Sequence, residues 1–324
     1  LLRGWLLLLL VVLTGPVALA GCGGQHDGRP VPVRSGPLGG GAVVAPTGGA
    51  YLGAWVRPVP GTQAGRVASV TTLQGQLGRS LDIVHTYRKW ADPAVTESDR
   101  QFAAGGAILL YSWAGTDTRA IAAGRYDAQV RARAAAIRAL GTPVLLEWRW
   151  EMDRPNLAGE VGGPAGYVAA WKHLRALFVA AGATNASWVW CPTADGFAGG
   201  GDAASYYPGD SEVDWLCADA YPGRQHRSFA AVVTPFLRWA AGHAKPVLIG
   251  EYGAPDSWGS AARADWLRAA TATIKAHPQI RAACYYDSDP VRDHPVEDYA
   301  LEDDPAALSA FTAMARDPYF NPAR

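Results

Sequence analysis

From position 51 onward, short runs of apolar and aromatic residues alternate with longer segments whose apolar positions recur at helical spacing. The runs cover 51–56, 83–87, 107–112, 143–150, 186–192, 213–221, 246–252 and 280–287, eight in all. Continuous apolar runs of this length suit strands buried on both faces, as in a parallel sheet. Between them, 119–140 is rich in Ala and Arg, 165–181 carries Tyr167, Trp171, Leu174 and Phe178 at helical spacing, and 261–276 carries Trp266, Leu267 and Ile274. Segments 229–241 and 305–315 read the same way. Eight strands and a similar number of helices in roughly 270 residues predict a closed (β/α)₈ (TIM) barrel. An open doubly wound sheet would usually bring a Gly-rich phosphate loop after its first strand, and Val56-Arg57-Pro58-Val59-Pro60 is not one.

The first fifty residues follow no such alternation. Arg3 precedes an apolar stretch, 6–13, that is too short to span a bilayer, and Leu19-Ala20-Gly21-Cys22 follows. Those four residues resemble a bacterial lipobox, which implies a lipoprotein signal peptide over 1–21 and lipidation of Cys22. Acyl chains of this kind hold a protein on a membrane without spanning it. Residues 22–50, rich in Gly and Pro, are expected to be a flexible tether, and 51–324 the catalytic domain. The expected address is extracytoplasmic, anchored to the cell membrane through lipid alone.

Composition narrows the partners. Lys and Arg balance Asp and Glu at zero net charge, which removes the electrostatic reason to expect nucleic acid. Thirteen Trp and thirteen Tyr serve either as core or as platforms for sugar rings. With Cys22 lipidated, Cys191, Cys217 and Cys284 remain, an odd number. A Cys191–Cys217 disulfide is open to them outside the cytoplasm, but the reading favours buried free thiols. No metal-ligand spacing stands out and no cofactor is expected; a monomer is.

Chemistry in such barrels sits at the C-terminal strand ends. The fourth run ends in Glu147-Trp148-Arg149-Trp150-Glu151-Met152-Asp153 and the seventh in Ile249-Gly250-Glu251-Tyr252-Gly253. Strands four and seven lie across the barrel mouth from each other, so Glu151 and Glu251 are positioned to flank one bond. Glycoside hydrolysis needs such a pair, with a separation of about 5–5.5 Å for a retaining mechanism. Alternatively each glutamate merely pairs with a nearby arginine such as Arg149.

The segments Arg149-Trp150-Glu151-Met152-Asp153, Tyr207-Pro208-Gly209-Asp210 with Val213-Asp214-Trp215, Asp219-Ala220-Tyr221 and Gly250-Glu251-Tyr252-Gly253 resemble glycoside hydrolase family 26. That family holds mainly β-mannanases, with β-1,3-xylanases and mixed-linkage β-glucanases, all retaining enzymes on a (β/α)₈ barrel. The resemblance implies Glu151 as general acid/base, Glu251 as nucleophile and Tyr221 as a hydrogen-bond partner of the nucleophile, with a polysaccharide or oligosaccharide as substrate. Three positions depart from the family pattern: Trp150 stands where His is usual, Glu147 where Arg is, and Asp153 where Asn is. These departures bear on which sugar is bound more than on the reaction class.

Further residues at or near strand ends are candidates for substrate contact, each with an ordinary structural alternative. Trp190 and Tyr286 either stack on sugars or fill the barrel, and Trp113 is similar. His85 either touches substrate or is a hydrogen-bonded core histidine, while Arg149, Trp150 and Asp153 flank the acid.

Overall fold

The computed structural model describes residues 38–288 and 298–323. The expected signal peptide, Cys22 and the first part of the tether lie outside the described residues. Eight parallel strands close a barrel in sequence order: β1 (Tyr51–Val56), β2 (Ile83–Arg88), β3 (Ile108–Trp113), β4 (Val144–Trp148), β5 (Ala186–Trp190), β6 (Trp215–Ala220), β7 (Val247–Tyr252) and β8 (Ile280–Asp287). This is the (β/α)₈ architecture that the eight apolar runs predicted. Helices α1 (Gln63–Leu77), α2 (Glu97–Ala104), α3 (Thr118–Ala122), α4 (Asp127–Leu140), α5 (Ala158–Val161), α6 (Gly163–Ala180), α7 (Phe229–Ala240), α8 (Ser260–Ala276) and α9 (Pro305–Arg316) connect them.

Strand alternation divides the apolar residues into two cores. Leu52, Val84, Leu109, Leu146, Trp188, Leu216 and Ile249 face the helices, whereas Ile83, Leu110, Leu145, Val189, Cys217 and Leu248 fill the barrel. Burying each large aliphatic side chain contributes about 1.5–3 kcal/mol, so both layers favour the closed barrel.

Two expectations about boundaries need correction. The helical segment 119–140 is two helices, α3 and α4, because Gly124 at φ 76° breaks the path between them. The tether does not run to position 50. Val43 is buried against the inner core, its N–H donates to Ser187 Oγ at 2.8 Å, and its carbonyl accepts from Trp215 Nε1. The physical reason is the N-terminal end of the barrel, whose apolar filling would otherwise face water and is covered here by chain assigned to the tether.

Candidate active site

Strand β7 delivers Glu251 through an irregularity. Ala218 pairs with Ile249, but the next residue, Asp219, pairs with Glu251, so Gly250 is an extra residue in β7. Leu248 faces inward and Ile249 outward, and strict alternation would turn Glu251 toward the helices. The bulge resets the phase and aims Glu251 into the barrel mouth. Only glycine fits at 250, since a Cβ there would lie 2.6 Å from Asp219 Oδ1 and 2.7 Å from Cys217 Sγ.

Two phenols hold the carboxylate of Glu251. Tyr87 Oη donates to Oε1 at 2.5 Å and Tyr221 Oη to Oε2 at 2.8 Å. Burial raises both tyrosine pKa values well above the ordinary phenol range, so the hydroxyls remain donors. Burial also raises the pKa of Glu251, but the two tyrosine hydrogen bonds and the nearby Arg154 pull it back toward the ionised form. Tyr87 itself is braced by Trp55 and Trp150, with ring centroids at 4.8 and 5.2 Å. Its neighbour Arg88 points outward to a 2.6 Å contact with buried Asp99, which anchors that strand end.

Glu151 reaches the same mouth by another route. Strand β4 ends at Trp148, two residues earlier than its apolar run, because Arg149 and Glu151 both adopt φ 53°. Left-handed backbone at non-glycine residues costs on the order of 1 kcal/mol or more each and is tolerated where surrounding contacts impose it. Those contacts are Arg149 N–H to the Trp113 carbonyl at 2.9 Å and Glu151 N–H to the Cys191 carbonyl at 2.7 Å. Burial first, and then the charge of Glu251, push the Glu151 carboxyl up to about 8, while Arg154 opposes them. Arg154 Nη1 lies 2.6 Å from Glu151 Oε2. Arg149 instead pairs with Glu160 at 3.0 Å and fastens the loop.

Beneath the pair lies a buried polar layer. His85 Nε2 approaches Ser112 Oγ at 2.6 Å, and Ser112 donates to Glu147 Oε2. Burial lowers the His85 pKa to about 3 and raises that of Glu147 to about 8, so their 3.9 Å approach is not an ion pair at neutral pH. Asp219 is also buried, with Oδ2 lacking a hydrogen-bond partner, and burial followed by the charges of Glu251, Glu147 and Glu151 raises its pKa strongly. Cys191 and Cys217 are joined by a disulfide, which corrects the expectation of two free thiols; neighbouring strands bring their Cα atoms to 4.3 Å. Cys284 is a buried free thiol. Potential ligand atoms of Glu147, Cys191, Cys217 and Asp219 converge within 4.8 Å, a cluster that sequence spacing did not reveal. With its sulfurs bonded to each other, that cluster offers no thiolate to a metal.

Glu151, Tyr221, Glu251 and Tyr286 line one cleft of about 590 Å³, together with Arg154, Arg224, His226, Trp258 and Tyr299. Asp153 lines an adjoining hollow of about 440 Å³, where it accepts from the Thr193 N–H and hydroxyl. Three expected contact residues lie elsewhere. Trp113 is fully buried and stacks on Trp90, and Trp190 is buried among Phe197, Tyr207 and Trp239. Both share strand parity with outward-facing neighbours, Tyr111 and Trp188, a signal available in the sequence. His85 faces inward but one step below Tyr87, in the polar layer. Trp150 is half-buried against Tyr87. The residue underweighted by sequence is Tyr87, which shares the inward parity of His85 and lies nearer the mouth.

No family model matches the chain. It is 28% identical over 281 residues to Endoglucanase H of Acetivibrio thermocellus, covering 81% of this chain and 30% of that protein. It is also 28% identical over 163 residues to β-1,3-xylanase TXYA of a Vibrio species, covering 48% and 33% respectively. The chain thus spans about a third of the length of these curated relatives. Among solved structures, a family 26 β-mannanase from Bacteroides ovatus superposes with a TM-score of 0.61 at 15% identity, over 84% of this chain and 90% of that one. At that identity the likeness speaks to the fold.

Proposed function

We propose that the protein is a retaining glycoside hydrolase of the family 26 type, acting first of all on β-1,4-linked mannan. The observation that carries this reading is the pair of unlike carboxylates in one cleft. Glu251 receives two phenol hydrogen bonds, and Glu151 is pushed toward its protonated form. In the first step the Glu251 carboxylate attacks the anomeric carbon while Glu151 gives its proton to the leaving glycosidic oxygen. In the second, Glu151 takes a proton from water, the water oxygen bonds the anomeric carbon, and the Glu251 ester is released. Tyr286 and Trp258 offer aromatic faces to the sugar rings.

A second reading within the same reaction class has its own support. The sequence relatives named above are an endoglucanase and a β-1,3-xylanase, and Trp150 replaces the histidine usual in mannanases, so mixed-linkage β-glucan and β-1,3-xylan belong in the same assay. New reducing ends from one of these polymers are expected, with the β-anomer appearing first by NMR. Release of the α-anomer first would overturn the retaining mechanism. Full turnover by either Glu151→Gln or Glu251→Gln would overturn the site, and tight oligosaccharide binding without turnover would make the protein a sugar-binding module. We further propose that the chain acts outside the cytoplasm, lipid-anchored through Cys22; loss of membrane association in Cys22→Ala tests this, and unchanged fractionation would refute it.

A further inference from the structure

The cleft is electrically lopsided about the catalytic pair. From Glu151, Arg154 and Tyr221, which border both hollows, the surface opens in two directions. The larger is walled by Arg224, His226, Trp258 and Tyr299, and among the described residues its only carboxylates are the two catalytic glutamates. The smaller is lined by Asp153, Asp195, Asp202 and Asp219 in addition to Glu151.

The cations on the larger side have binding capacity to spare. Arg224 is exposed and makes no ion pair or hydrogen bond with any described residue. Arg154 uses Nη1 on Glu151, and its side chain remains 53% exposed to the cleft. His226, held at φ 53° with its ring stacked on Trp258 at 4.2 Å, adds a third nitrogen-bearing group to that wall. A guanidinium presents paired N–H donors whose geometry matches a carboxylate, and charge-assisted bonds of this kind are about twice as strong as neutral ones. The smaller side attracts the same group less: burial keeps Asp219 from carrying charge, but Asp153 and Asp202 remain there beside one cation, Arg154, which the larger side shares. Asp195 is neutralised there by Arg227 at 2.6 and 2.9 Å, but Arg227 does not line the hollow itself.

We propose that the natural substrate is an acidic β-glycan, whose uronate residue binds on the Arg224–Trp258 side of the scissile bond and not on the aspartate side. This rests on the hydrolase reading and deepens it. A neutral polymer can offer Arg224 only single hydroxyl acceptors, whereas a uronate gains a bidentate, charge-assisted partner and an orientation.

The test uses β-1,4-mannan and mixed-linkage β-glucan, each intact and with a fraction of its C6 hydroxyls oxidised to carboxylate. Oxidised polymer is expected to show at least a tenfold lower KM than its parent at low salt, an advantage that shrinks as NaCl is added. Mass spectrometry of the products should find uronates at a fixed position on one side of the new ends. Arg224→Gln should lower the oxidised-to-parent ratio of kcat/KM about tenfold. Equal or better cleavage of the parent polymers, or uronates scattered at random about the cut sites, would overturn the proposal and leave the hydrolase standing. If no polymer is cut, the hydrolase reading fails. Calorimetry of oxidised and parent oligosaccharides with the wild type and Arg224→Gln then decides the subsite by itself: equal affinities refute it, and tighter oxidised binding that is lost in Arg224→Gln supports it.

Discussion

Glu251 lies inside a strand and Glu151 lies three residues beyond one, and the two carboxylates are surrounded by opposite kinds of partner. Glu251 accepts from two neutral phenols fixed on β2 and just beyond β6. Among the described residues Glu151 has no phenol partner and pairs with one half-exposed arginine from its own loop. Hydrogen bonds to a carboxylate favour its charged form, and burial beside another carboxylate favours the neutral form. One barrel mouth therefore holds a carboxylate suited to attack and a carboxylic acid suited to donate. The backbone differs too: Glu251 sits in a strand paired on both sides, whereas Glu151 sits in left-handed backbone whose N–H bonds the Cys191 carbonyl and whose carbonyl accepts from Arg154.

The largest expected effect tests whether the two roles are as distinct as their surroundings. We predict that Glu251→Ala loses more than about 10⁴-fold in kcat/KM, as removal of a nucleophile does elsewhere. Glu151→Ala should lose about 10²–10⁴-fold on polysaccharide, in line with general acid catalysis, and less on an aryl glycoside whose leaving group needs no proton. Azide added to each variant distinguishes them. It should give the α-glycosyl azide with Glu251→Ala and the β-glycosyl azide with Glu151→Ala. The reverse pattern would exchange the assignments.

Next in size are the phenols. A hydrogen bond to a charged group contributes about 1.5–3 kcal/mol, so Tyr87→Phe and Tyr221→Phe should each lower kcat/KM by roughly 10- to 100-fold. Both hydroxyls pull the Glu251 pKa down. Their loss raises it, and the acidic limb of the pH profile should move to higher pH in either variant. A rate loss with an unmoved acidic limb would mean that the phenols bind sugar and do not tune the nucleophile. Arg154→Gln should act chiefly on the other limb and more gently, with a lesser upward shift of the acidic limb because Arg154 also favours ionised Glu251. Arg154 stabilises the ionised form of Glu151, whose pKa is pushed up to about 8. Without it that pKa rises further, so the alkaline limb moves to higher pH; movement to lower pH would contradict the pairing.

The same contrast explains how much the sequence disclosed. The barrel was legible because eight buried strands must be apolar on both faces, and both glutamates were visible as charges at the ends of such runs. The lipobox-like start and the Tyr221 contact came from resemblance to known sequences, and Tyr221 does lie 2.8 Å from Glu251. What pattern alone missed depends on backbone detail. Gly250 looks like an ordinary strand glycine, yet its bulge turns Glu251 inward. Nothing in Arg149 or Glu151 as residue types announces φ 53°. Trp113 and Trp190 stand at strand ends, but their parity with Tyr111 and Trp188 assigns them to the helix side. Tyr87 shares the parity of His85, and parity gives the face but not the height within the barrel.

The last prediction leaves the rate untouched and concerns the layer beneath, where Glu147 shows what a buried carboxyl does without a catalytic task. Its pKa stands at about 8 against an ordinary 4.5. Between those values the folded protein holds a proton that the unfolded chain has released, so the stability linked to that proton is complete below about pH 4.5 and disappears as pH rises through about 8. Glu147→Gln stays neutral throughout, and its amide oxygen remains available to accept from Ser112. Its Tm should therefore lie close to the wild type near pH 5 and exceed it at pH 9 by on the order of 10 °C, given about 1.4 kcal/mol per pKa unit and about 2–4 °C per kcal/mol in large domains. Parallel Tm curves for the two proteins from pH 5 to 9 would mean that Glu147 is already ionised in the fold. The cation holding it so would then be protonated His85, and the layer would be an ion pair where the geometry and burial argue for a neutral one.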